Sequence, residues 1–208
     1  MLNISQRLQE ENEEEKQDPN AGASEQFMQK MLKTRTILLS GEINKNLAER
    51  VVRQLLLLED AGDDPIRMFI DSPGGDADAG YAIVDMIRFV KPHVFTIGMG
   101  LVASAGALIL LGSPKDKRLG LPNSHYLIHQ PLSGMRGVAT DIEIHAREIE
   151  KMRNRINKLI SEETGKQIDQ VEKDTDRDFW MGAEEAVDYG LISAIIASRD
   201  ELEKRLAG

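Results

Sequence analysis

At 208 residues, with 41% apolar and 29% charged residues, the chain suits one globular domain with a substantial core. A net charge of −9, from 35 acidic and 26 basic residues, argues against a general nucleic-acid binder, which needs a basic surface. The lack of cysteine excludes disulfides, thiolate metal sites and a cysteine nucleophile, and it fits a cytoplasmic protein.

Residues 1–24 read as an acidic arm. Glu10, Glu11, Glu13, Glu14, Glu15 and Asp18 stand against Lys16, and Pro19-Asn20-Ala21-Gly22 follows. Such a block stays solvated. The start lacks the basic leader and apolar core of a signal peptide. A compact domain is expected over 25–208. Gln26–Lys33 reads as a short helix with Phe27, Met28, Met31 and Leu32 on one side. Thr36–Leu39 is a strand stopped by Ser40-Gly41, and Lys45–Glu59 an amphipathic helix carrying Leu47, Val51, Leu55 and Leu58. Ile66–Ile70 is a strand and Ser72-Pro73-Gly74-Gly75 a turn. A helix is expected over Gly80–Val90 and a strand over Val94–Ile97.

The uncharged run Val94–Pro114 is long enough to raise a transmembrane reading, but Gly98, Gly100, Gly106 and Gly112 break it into strand, turn and short helix. Ser104–Leu111 is the helix; Arg118–Leu121 and Tyr126–Ile128 are further strands. Thr140–Glu143 fits a capping box opening a long helix to about Glu162, about 35 Å in length. Its rows Ile142, Ile149, Ile156 and Met152, Leu159 make a narrow apolar seam. That seam serves an ordinary surface helix or one packed on a second subunit. Strands alternating with helices give an α/β class with a mainly parallel sheet.

Ser104 follows a strand and opens a helix. There its hydroxyl serves either as an N-cap or as a nucleophile beside free amides that stabilise an oxyanion. Gly74-Gly75 serves a tight turn or a close backbone approach to a ligand. No nucleotide-binding glycine motif occurs. His129 stands at a strand end, a place suited to a catalytic base; with His125 it is also a conceivable metal pair, although spacing suggests no third ligand. Asp174-Thr175-Asp176-Arg177-Asp178 is either a solvated knot of local pairs or the source of an aspartate that orients a histidine.

Six segments in order closely resemble the proteolytic subunit of the Clp protease (ClpP). They are Ser72-Pro73-Gly74-Gly75, Ala103-Ser104-Ala105-Gly106-Ala107, Leu121-Pro122-Asn123-Ser124, Ile128-His129-Gln130-Pro131, the run Ala139–Ile149, and Asp174–Asp178. The resemblance covers about 34–195, and the separations of Ser104, His129 and Asp178 also match. It implies a crotonase-like domain of stacked β-α-β units over 25–208, with a protruding handle helix and strand over about 130–162. It implies Ser104 as nucleophile, His129 as general base then acid, and Asp178 as the residue supporting the imidazole. The oxyanion donors carried over are the backbone amides of Gly75 and Ala105. Peptide would lie as an added strand between the stretch after Gly75 (Asp76, Ala77) and Leu132, Ser133 and Gly134. Asp176 and Arg177 match the family's pair linking ring contacts to triad geometry.

The implied partners are further copies of the chain in two stacked seven-membered rings, unfolded protein substrates, and an AAA+ unfoldase such as ClpX, ClpA or ClpC. ATP is used by that unfoldase, not by this chain; no metal, nucleic acid or membrane is implied. Three departures set further expectations. The acidic arm and FMQKML stand where the family carries an apolar axial loop, which points to a divergent paralogue working with a second, more typical subunit. Ala105 replaces the common methionine, which widens the nearby pocket. Gly75-Asp76-Ala77-Asp78 is more acidic than usual. The alternatives are a catalytically silent subunit of a mixed ring and a crotonase-fold acyl-CoA enzyme.

Overall fold

The computed structural model describes residues 21–207. The arm expected over 1–24 therefore lies, up to Asn20, outside the described residues. Two compact units divide between Thr34 and Arg35. In the first, α1 (Ala21–Lys33) starts earlier than Gln26, the expected first residue.

The second unit is a parallel α/β fold. Its elements are β1 (Thr36–Ser40), α2 (Lys45–Asp60), β2 (Ile66–Ser72), α3 (Ala77–Phe89), β3 (Val94–Ala103), α4 (Ala105–Leu110), β4 (Arg118–Gly120), β5 (His125–Ile128), α5 (Ala139–Thr164), α6 (Ile168–Asp174), β6 (Phe179–Met181), α7 (Ala183–Tyr189), β7 (Ala194–Ile195) and α8 (Arg199–Leu206). The sheet runs β1-β2-β3-β4-β7, and β5 joins β3 to β6. All pairings are parallel except β5 with β6. The helices bury the faces their periodicity sets: Leu47, Ala48, Val51, Leu55 and Leu58 in α2, and Ala79, Tyr81, Ile83, Val84 and Ile87 in α3. Asn44 caps α2 by accepting the Leu47 N–H at 3.0 Å.

Three of the boundaries that differ from expectation have a clear physical reason. β3 does not stop at Ile97. Its glycines carry it onward: Thr96–Gly98 pair with β4, and Leu101–Ala103 pair with β5. Between the two pairings Gly100 takes φ 55°, and the Asp71 carboxylate accepts the Leu101 N–H at 3.1 Å. The glycine bend lets one strand change neighbours instead of ending it. α3 opens at Ala77 rather than Gly80, because the Asp76 carboxylate accepts the Ala79 N–H at 2.8 Å and caps it. The capping box at Thr140 does not form. Val138 is the N-cap, without a side-chain bond, and Thr140 already lies inside the first turn. Glu143 instead pairs with Arg147 at 3.4 Å. The helix ends where Gly165 turns left-handed at φ 77°.

The lower half of α5 is locked to the sheet by charge. Arg118 in β4 is fully buried; its guanidinium donates to the Glu163 carbonyl at 2.7 Å and lies 3.4 Å from the Glu163 carboxylate. Arg88 reaches the same carboxylate at 2.9 Å. Burial pulls the Arg118 pKa below the usual guanidinium value, and Glu163 pulls it back. Glu163→Ala leaves Arg118 buried with only the carbonyl. It should lower stability by about 3 kcal/mol, the low end for a broken buried pair. The denaturant midpoint at fixed protein concentration measures this, and an unchanged midpoint would show that the pair carries no stability.

Candidate active site

Ser104 sits where β3 gives way to α4. Its backbone is at φ 54°, ψ −120°, a left-handed conformation that costs a non-glycine residue on the order of 1–3 kcal/mol. The contacts that hold it are backbone ones. The Ser104 amide donates to the Leu127 carbonyl of β5 at 2.9 Å, and its carbonyl accepts the Ala107 amide at 3.0 Å. The N-cap reading fails, since the Ser104 side chain makes no capping bond. Asn44, Asp76 and Ser198 do cap their helices, each from an extended backbone. The Ser104 hydroxyl is thus left to point at the cavity, on a strained strand-to-helix turn of the kind that exposes a nucleophile.

The Gly74-Gly75 turn packs against this corner. A Cβ on Gly74 would lie 2.6 Å from Ser104 Cβ and 2.8 Å from the Ala103 carbonyl; one on Gly75 would lie 2.2 Å from the Ile43 carbonyl. Both glycines are left-handed, at φ 96° and 143°. Ile43 clasps the turn, its amide donating to the Gly74 carbonyl and its carbonyl accepting the Asp76 amide, each at 2.8 Å. Ser72 braces it by accepting the Gly74 amide at 3.1 Å and donating to the Gly41 carbonyl at 2.7 Å. Among the described residues the amides of Gly75 and Ala105 have no protein acceptor. Two free N–H groups flanking a serine form the donor pair an oxyanion needs.

His129 and Asp178 meet through sheet register. β5 and β6 pair Ile128 with Phe179, so the next positions outward are His129 and Asp178. His129 Nδ1 lies 3.3 Å from Asp178 Oδ1, which leaves Nε2 for the serine side. Ser104 and His129 line one cavity of about 670 Å³. Among the described residues no hydrogen bond joins them, as is common before substrate arrives. The cavity's apolar lining includes Leu108, Met152, Ile156 and Ile160; Asp76, Asp78 and Glu148 are its carboxylates.

The other expected residues are placed as follows. Asp76 has its amide, carbonyl and one carboxylate oxygen in use within the fold, and Ala77 is already helical. Both residues line the cavity together with Gly75. Leu132, Ser133 and Gly134 are solvent-facing, with Ser133 Oγ 2.8 Å from His145 Nε2. Asp176 receives the Gln130 side-chain amide on its carbonyl at 2.6 Å and faces Arg153 at 3.9 Å. Arg177 is exposed, with no ion pair among the described residues. The His125 ring lies tilted beside Trp180, with ring centroids 6.1 Å apart. Sequence reasoning missed Ile43 and the Ser133–His145 contact; no motif signals either.

A family model described as Clp protease matches residues 19–199. The chain belongs to the Clp protease family. It is 60% identical over 199 residues to the ATP-dependent Clp protease proteolytic subunit 2 of Treponema denticola, covering 95% of this chain and 98% of that one. It is 55% identical to the proteolytic subunit 3 of Rhizobium meliloti over 172 residues, 83% of this chain and 88% of the other. A solved mutant ClpP1 from Listeria monocytogenes superposes with a TM-score of 0.80 at 52% identity, covering 85% of this chain and 99% of that one. The α/β fold is therefore the ClpP fold. Gly74→Ala should lower the rate of Ser104 labelling by a fluorophosphonate on the order of 100-fold, since the new methyl displaces the serine corner. Intact-protein mass spectrometry reads this, and an unchanged rate would separate the glycine from the site.

Proposed function

We infer that this Clp family chain is a serine endopeptidase that cleaves unfolded proteins through an acyl-enzyme on Ser104. His129 takes the Ser104 proton, and the alkoxide attacks the peptide carbonyl. The amides of Gly75 and Ala105 hold the oxyanion, and Asp178 keeps the imidazole oriented. His129 then protonates the leaving amine, and water regenerates the serine. The observation that carries this reading is the strained Ser104 backbone, with its hydroxyl free of any cap and two unoccupied amides beside it.

The chain works as a ring subunit fed by an AAA+ unfoldase of the ClpX, ClpA or ClpC class. The unfoldase uses the ATP, and the work takes place in the cytoplasm. Two stacked heptameric rings, with α5 as the handle between them, account for the apolar residues that α5 and the segment before it expose: Leu132, Met135, Val138, Ile142 and Ile144. Among the described residues no helix is long and apolar enough to cross a membrane. The subunit numbers 2 and 3 in the relatives' names favour a mixed ring in which this chain works beside a second proteolytic subunit.

Ser104→Ala should lower turnover of a short fluorogenic peptide on the order of 10⁶-fold. Asp178→Asn should lower it by about 10²–10⁴-fold, because the imidazole is then held in the wrong tautomer. Hydrolysis by the pure chain measures both. A Ser104→Ala variant with wild-type turnover would refute the mechanism, and an inert wild-type chain activated only by a second subunit would support the mixed ring.

A further inference from the structure

Two buried polar side chains near the site have no part in the mechanism. Asn157 of α5 is 1% exposed, and Thr175, the C-cap of α6, is fully buried. The Thr175 hydroxyl lies 2.8 Å from Asn157 Oδ1 and 2.9 Å from the Val171 carbonyl. It has one proton and can serve one acceptor at a time. Asn157 Nδ2 is buried without a partner. If the amide is turned over, Nδ2 donates to Thr175 Oγ1 while the hydroxyl donates to Val171. In either arrangement the same contact ties α5 to the end of α6. A buried polar pair is costly unless its geometry does something.

What it touches next is the catalytic loop. The Thr175 carbonyl accepts the Gln130 amide at 2.7 Å, one residue from His129. The Gln130 side chain donates to the carbonyl of Asp176, two residues before Asp178. β5 and β6 end their pairing at Ile128 and Phe179, so no ladder bond holds the chains beyond that point. The links through Thr175 and Asp176 take over there and fix the spacing of His129 and Asp178. Asn157 is adjacent in sequence to Ile156, and the same helix supplies Met152, Ile156 and Ile160 to the cavity.

We propose that Asn157 and Thr175 are positioning residues that register α5, and with it the cavity wall, to the His129–Asp178 pair. Neither touches the reacting atoms. Both are distinct from Asp176 and Arg177, the pair that the family resemblance singles out. The proposal rests on the reading of Ser104, His129 and Asp178 as a triad, and the test separates the two.

The test uses the full chain with Thr175→Val, which keeps the shape and removes the hydroxyl, and Thr175→Ser, which keeps the hydroxyl. Hydrogen–deuterium exchange and Ser104 labelling by a fluorophosphonate are measured side by side. In Thr175→Val, exchange of the 128–131 segment should rise about fivefold to tenfold, as expected for loss of one neutral hydrogen bond, with β1 and β2 unchanged. The labelling rate and the kcat for a short peptide should fall on the order of 10- to 100-fold, with KM within about twofold of wild type. Thr175→Ser should restore both readouts. Asn157→Leu combined with Thr175→Val should cost less than the sum of the single changes. Unchanged exchange at 128–131, or faster exchange with unchanged labelling, overturns the proposal. Equal losses of protection throughout the sheet also overturn it, since they mark a general stability role. If wild-type Ser104 labels neither alone nor in the presence of a second proteolytic subunit, the triad reading fails, and the exchange result alone decides whether the pair holds the loop.

Discussion

A serine held at φ 54° persists only where its surroundings leave it no other choice. Here the surroundings are Gly74, whose missing side chain admits the Ser104 Cβ, and the β5 carbonyl that takes the Ser104 amide. Release of either would let the corner relax toward an ordinary N-cap. The hydroxyl would then satisfy its own helix and be lost to chemistry. The position of the oxyanion amides follows from the same corner, because one of them belongs to the residue after the serine and the other to the turn pressed against it.

The sheet exists in the form that feeds this corner. β3 must start as a central parallel strand, to be anchored between β2 and β4, and must end beside β5, to be near His129. One strand achieves both through the bend at Gly100, with Asp71 accepting the amide freed there. β5 then leads into His129, and its antiparallel partner brings Asp178 opposite. The nucleophile comes from the parallel part of the sheet and the base and its support from the antiparallel part. That explains why three residues so far apart in sequence converge.

Much of this was legible in the sequence, for definite reasons. α2 and β2 carry simple periodicities, and the structure buries the faces those periodicities set. Ser104, Gly75, His129 and Asp178 were each ambiguous alone and became specific as a set. The misses share a cause. A glycine marks a freed backbone without saying what uses the freedom, so the glycines after Ile97 read as the end of β3, whereas Gly100 bends it. Thr140 and Glu143 have capping-box spacing but lie within the helix, because Val138 and Ala139 already adopt its start. The Asn157–Thr175 contact joins two elements with no common motif, and only the three-dimensional packing brings it into view.

The central claim is that Ser104 acts from a preset corner with its oxyanion donors already in place. The crystal structure of the chain inactivated by a peptidyl boronate tests it most directly. The account predicts boron bonded to Ser104 Oγ, with one boronate oxygen about 2.7–3.1 Å from both the Gly75 and Ala105 amides and the Ser104 backbone still left-handed. An adduct whose oxygen turns to solvent, or a serine that relaxes out of the left-handed region on reaction, would contradict it.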